Sequence, residues 1–207
     1  MENVVLTYFN VESEGYQALS ELKKVAAFED RFVLSQVSLV KMQDGQIFYK
    51  DGFDTGKRTA DDATKGSLLG TIIGILGGPV GVLLGFGSGL ALGMIKDARD
   101  EELEASLITT VTTRLREGDV AMLAVIEEET EDAYNKVMEQ FDAITIRYDA
   151  DFIRDEMAHA EEVQQFLAQQ AKEKIRSKRS EAIKHKLEEY KSKLIHHKEE
   201  PSSHEQK

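Results

Sequence analysis

The stretch that decides the fold is Asn3-Val4-Val5-Leu6-Thr7-Tyr8-Phe9, a near-continuous apolar run that reads as a buried strand. Ser13 and Glu14 follow with helix-start chemistry, and Tyr16, Leu19, Leu22 and Ala26 recur at helical spacing up to about Asp30. The same unit returns later in the chain. Val120-Ala121-Met122-Leu123-Ala124-Val125-Ile126 is a second buried strand, and Thr130-Glu131-Asp132 starts a helix. Tyr134, Val137, Met138 and Phe141 give that helix its apolar stripe, and Ala143 to Tyr148 alternates like a strand. Between the copies, Val33, Val37, Leu39 and Met42 mark a strand that turns at Asp44-Gly45 into Ile47-Phe48-Tyr49. Gly52 to Asp62 is polar and breaks the pattern.

Two strand–helix–strand units predict an α+β fold, a ferredoxin-like sandwich (two βαβ units) with a sheet covered by helices on one face. Residues 1–57 and 97–150 form this domain, and 58–96 form an inserted glycine-rich helical hairpin. A long C-terminal amphipathic helix spans 151–198, and a disordered tail 199–207 follows. On the long helix, Ile153, Met157, Ala160, Val163, Leu167, Ala171 and Ile175 line one side, while Ile183, Leu187, Tyr190 and Leu194 repeat at 4-3-4 spacing. The run Ser177-Lys178-Arg179-Ser180 interrupts the stripe, so two helices are the alternative.

The hairpin is the unusual feature. Residues 66–95 carry no charged side chain and hold ten of the fifteen glycines. Eight fall in two registers of four: Gly66, Gly70, Gly74, Gly78 and Gly81, Gly85, Gly89, Gly93. Spacing by four puts each set on one helix face, and Gly77-Gly78-Pro79 supplies the turn between them. These eight are the candidate helix-packing and oligomerisation residues, with two antiparallel arms meeting through their glycine faces. At roughly 0.8–1.0 kcal/mol each, eight interior glycines oppose helix formation by about 6–8 kcal/mol, so close packing or exclusion from water has to offset them. The outward faces (Leu69, Ile72, Ile73, Leu76 and Val82, Leu83, Phe86, Leu90) are apolar too. Such a hairpin calls for lipid, a protein core or copies of itself. Its arms reach only about 18 and 24 Å, short of a bilayer core of about 30 Å. A shallow re-entrant insertion with both flanks on the cytoplasmic side is the membrane reading, and a soluble oligomer with buried hairpins is its rival.

Gly66 to Gly93 with Gly77-Gly78-Pro79, followed by Asp97, Ala98 and an acidic helix start, resembles a bacterial family of uncharacterised proteins labelled predicted membrane proteins. The resemblance covers roughly residues 1–150 and leaves out the tail helix. It implies an α+β body split by a glycine-zipper hairpin, and brings no established activity; some members are linked to stress or envelope functions.

Other chemistry is sparse. With no cysteine, disulfide scaffolds, cysteine-ligated metals and thiol nucleophiles are excluded. Gly52-Phe53-Asp54-Thr55-Gly56-Lys57-Arg58-Thr59 fails the phosphate-loop pattern because Arg58 separates Lys57 from Thr59. All five histidines lie from His159 onward; Glu156 and His159 have di-iron spacing without the second copy such a site needs. Glu127 to Asp132 reads as dipole-complementing charge at a helix start. No catalytic, cofactor-binding or metal residue is assigned, and no cofactor is expected.

The net charge of −12 is uneven. Residues 172–198 carry ten basic against four acidic side chains, while 1–171 carry fifteen against thirty-one. The acidic body argues against nucleic acid as a partner. Met1-Glu2-Asn3-Val4 gives no basic region for a secretory signal. The sequence therefore predicts a non-enzymatic, membrane-associated or self-assembling glycine-zipper protein on the cytoplasmic side of the cell membrane. It would be a homo-oligomer, contacting lipid through 66–95 and a protein partner through the C-terminal helix. The alternative is a soluble ferredoxin-like ligand-binding domain or enzyme, in a cytoplasmic assembly that buries the hairpin.

Overall fold

The computed structural model describes residues 1–28, 32–56, 67–84 and 106–198. Its elements run β1 (Glu2–Phe9), α1 (Glu12–Phe28), β2 (Phe32–Gln43), β3 (Gln46–Asp54), α2 (Leu68–Leu76), α3 (Pro79–Leu84), α4 (Leu107–Arg114), β4 (Val120–Glu128), α5 (Asp132–Met138), β5 (Ala143–Asp149) and α6 (Ala150–Lys198). The fold is α+β. Five strands form one sheet in the order β3-β2-β4-β1-β5, and every neighbouring pair is antiparallel. β4 lies between β1 and β2, and β1 lies between β4 and β5, so the strands of the two strand–helix–strand units interleave.

The sheet is covered on two faces. Side chains alternate across a strand. Val5 and Phe9 of β1, Leu39 of β2 and Met122 and Ala124 of β4 cluster with Leu19 and Leu22 of α1 and with Tyr134, Val137 and Met138 of α5. Val4 and Leu6, Val40 and Met42, and Leu123 and Val125 point the other way and are equally buried. The buried residues of α2, α4 and the start of α6 (Leu69, Ile72, Leu107, Val111, Ile153, Met157) cover that second face. The expectation of helices on one face is corrected by the central strand itself: the first seven residues of β4 are all buried. A strand wet on one side alternates; one buried on both sides reads as an unbroken apolar run.

At the Asp44-Gly45 turn both residues have positive φ, 53° and 68°, the conformation that a two-residue hairpin requires. The Glu117 carboxylate accepts from both their amides, at 2.8 and 3.2 Å. β3 continues to Asp54, through residues that read as a polar break. A register shift at Leu39/Val40 lets the strand resume, and a Cβ on Gly52 would fall 2.3 Å from the Val37 carbonyl. Glycine is required there by the close approach of the two backbones.

The least helix-like segment in the sequence is α4, whose eight residues include four threonines, one valine and one isoleucine. Two devices hold it. Thr110, Thr112 and Thr113 donate their hydroxyls to Ser106, Ile108 and Thr109 carbonyls at 2.7–2.8 Å, so the buried side chains are satisfied within the helix. Ser106 caps the first turn, accepting from Thr109 N at 3.0 Å.

Met1–Gln164 form one compact unit and Gln165–Lys207 another. Helix α6 is a single helix, without the break that Ser177–Ser180 allowed. Its first turn is capped by Asp149, whose carboxylate accepts from Asp151 N and Phe152 N at 3.0 Å.

Candidate functional site

The hairpin segment divides into glycines that shape a turn and glycines that leave a surface open. Helix α2 starts at Ser67, whose hydroxyl accepts from Gly70 N at 3.1 Å and donates to Gln36 Oε1 at 2.6 Å. It buries Leu68, Leu69, Ile72, Ile75 and Leu76. Burying five such side chains contributes roughly 8–15 kcal/mol, against about 2 kcal/mol for the two interior glycines. That surplus explains a nine-residue helix that contains glycine at all.

Gly77 ends α2, its amide donating to Ile73 O at 2.8 Å. A Cβ on Gly78 would meet Gln164 Oε1 at 2.5 Å, and one on Gly81 would meet Leu76 O at 2.0 Å. These two glycines therefore permit the tight passage into α3, which opens on Pro79 where the missing amide hydrogen costs nothing. Gly70 and Gly74 differ. Both are exposed, and among the described residues a Cβ on Gly70 would meet only its own cap Ser67, and one on Gly74 would meet nothing within 4 Å. Gly66, Gly85, Gly89 and Gly93 lie outside the described residues, as do most of the second expected arm and the tail 199–207. Among the described residues no helix is long and apolar enough to cross a membrane.

Several polar groups that the sequence offers for chemistry are committed to structure. The Glu156 carboxylate sits on the N-terminus of α4, taking hydrogen bonds from Ser106 Oγ at 2.5 Å, Leu107 N at 3.0 Å and Ile108 N at 3.1 Å. Its charge complements the helix dipole there. His159 instead contacts the Asp155 carbonyl at 2.9 Å through Nδ1. Of the acidic run, Glu128 belongs to β4 and is paired with Arg147 Nε at 2.7 Å, deeply buried. Arg147 also donates to Asn135 Oδ1 at 2.9 Å and lies 5.5 Å from the centre of the Tyr134 ring. Burial pushes the Tyr134 phenol up to about 12; its hydrogen bond with Thr7, 2.8 Å long, and the Arg147 charge act in the opposite sense. This clasp ties α5 to the sheet. Among the described residues no group of three His, Asp or Glu is placed to hold a metal.

One cleft escapes sequence reasoning. Thr110, Arg114, Ile146, Tyr148 and Phe152 line an open recess of about 450 Å³ beside the edge strand β5. Burial raises the Tyr148 phenol, with Thr110 bonding and the Arg114 charge pulling it back. Burial likewise raises Tyr8, whose hydroxyl has no hydrogen-bond partner among the described residues. Nothing in the local sequence marks these residues: they converge only through pairing of β1 with β5 and the placement of α4.

Compared with family models, with curated proteins and with solved structures, the chain matches none.

Proposed function

We propose that this is a non-enzymatic, self-associating protein, a ferredoxin-like platform that presents one glycine face of an inserted helical hairpin to a second copy. The single observation that carries this reading is the division of α2. Its leucine and isoleucine side is spent on the sheet, and its Gly70–Gly74 side is exposed and, among the described residues, has no neighbour beyond its own cap Ser67. A helix surface without side chains lets another helix approach more closely than usual, which is the physical advantage of small residues at such positions. The ferredoxin-like assignment is supported by the interleaved order β2-β4-β1-β5, with α1 and α5 on a common face and β3 added at the edge. The eight glycines and the Gly77-Gly78-Pro79 turn are also what support kinship with the glycine-zipper family, and with it a place at the cytoplasmic side of the cell membrane and a stress or envelope role.

Light scattering on the purified full chain tests the association directly. Gly70→Leu with Gly74→Leu should reduce the measured mass to that of the single chain while the far-ultraviolet spectrum stays unchanged. An unchanged mass contradicts the reading.

A second reading, a soluble ligand-binding domain, is favoured by the cleft at Arg114, where guanidinium groups and the Tyr148 phenol suit a small carboxylate or phosphate group. Native mass spectrometry of the full chain should then show a bound mass that Arg114→Ala removes; protein mass alone counts against it.

A further inference from the structure

The second half of α6 carries an ordered distribution of charge that the glycine hairpin does not explain. Ile183 and Leu187 are 60% and 53% exposed. At about 100° per residue, they share one helix sector roughly 60° wide with the positions of Tyr190 and Leu194. Arg179, Lys184 and Lys186 occupy the two borders of that sector, and the same register places Lys191, Lys193 and Lys198 there, about 50–90° from its centre. Glu181, His185, Glu188 and Glu189 occupy the far side, about 130° or more away. Apolar stripe, basic borders and acidic back are thus three separate sectors of one helix.

This arrangement excludes pairing with its own copy. In coiled-coil terms Ile183, Leu187, Tyr190 and Leu194 fall at d, a, d and a, and every flanking e and g position from Arg179 to Lys198 is basic. Parallel and antiparallel pairs both set these borders against each other, cation facing cation. The stripe is also short. Arg176 and Ser180 occupy the preceding d and a positions, so it lasts less than two heptads where a sustained coiled coil needs about three to four.

A surface of anionic lipid headgroups meets the same arrangement without strain. Lysine stems extend along an apolar surface while their ammonium groups reach outward to phosphate. The carboxylates on the back stay clear of the negative surface. At physiological salt the field of a charge decays within about 8 Å, so the local excess of ten basic over four acidic residues in 172–198 sets the potential beside this stripe. We propose that residues 179–198 bind a membrane surface bearing anionic headgroups, with the helix lying flat and its Ile183–Leu194 stripe toward the acyl chains. The inference is independent of the glycine face.

Vesicle flotation with the full chain tests it. The protein should float with vesicles containing phosphatidylglycerol and stay behind with pure phosphatidylcholine, and about 0.5 M salt should release it. Ile183→Glu with Leu187→Glu should weaken binding at least about tenfold, since it removes apolar burial and adds charge. Lys184→Glu with Lys186→Glu should cost about fivefold per residue or more. Both pairs are exposed, so thermal unfolding should match the parent and separates lost binding from lost folding. Gly70→Leu with Gly74→Leu should float as the parent does. Equal flotation with both vesicle types, or undiminished binding by the Ile183/Leu187 pair variant, overturns the proposal. No flotation at all also overturns it and leaves an acidic protein groove as the occupant of the stripe.

Discussion

Helix α2 has nine residues and no charge, and buries five of them against the sheet. Residues 165–198 of α6 are rich in charge, yet Phe166, Ile175, Ile183 and Leu187 stand 53–68% exposed. By composition the first is the adhesive element and the second the solvated one. Packing reverses the order. The apolar side of α2 is consumed internally, and among the described residues its glycine side is left exposed, whereas Phe166, Ile175, Ile183 and Leu187 of the distal helix stand open to a partner. What an element offers a partner is set by what the rest of the fold has already covered.

The largest expected effect tests that contrast. Ile72→Asp places a charge at a fully buried position of α2 and should abolish cooperative folding, read by thermal unfolding, because an unpaired buried charge costs several kcal/mol. Ile183→Asp on the distal helix should change stability by less than about 0.5 kcal/mol. Equal effects at the two positions would erase the distinction. Next comes the clasp on the opposite face of the sheet. Arg147→Ala leaves Glu128 buried without its cation and should lower the unfolding free energy by about 3–5 kcal/mol in urea. Adding Glu128→Gln should recover part of that loss.

Alkaline pH should act through Tyr134. Its folded-state value of about 12 lies above the ordinary value of 10.0, so its contribution is complete below pH 10. As pH rises from 10 toward 12 the unfolded chain ionises first, and stability should fall by roughly 1–3 kcal/mol, seen as a lower urea midpoint. Stability rising over that window would contradict the buried, neutral phenol. A smaller loss is expected at α4, where Glu156→Ala should cost about 1–2 kcal/mol through the lost cap. That substitution should leave the distal helix intact by circular dichroism.

The sheet was legible because β1 and β4 carry near-continuous apolar runs and its hairpin carries Asp44-Gly45. The same continuity in β4 is the mark of a strand buried on both faces. Helix α4 was not legible: its threonines are strand formers by intrinsic preference, and the groups that overrule them include Glu156, about fifty positions away in sequence. The glycine row was visible as spacing, but spacing alone does not separate Gly78 and Gly81, which the turn requires, from Gly70 and Gly74, which are exposed and which, among the described residues, only Ser67 approaches. The Arg114 cleft was invisible because its residues come from three separate elements.

The absence of cysteine makes one measurement decisive for the glycine face. In a symmetric pair whose two-fold axis passes beside Gly74, as the glycine face proposes, Gly74 of one copy approaches Gly74 of the other. The variant Gly74→Cys, oxidised in the otherwise intact chain, should yield a disulfide-linked dimer on non-reducing gels, while Ile183→Cys under the same conditions should not. A Gly74→Cys chain that stays monomeric, or links no faster than Ile183→Cys, contradicts the account.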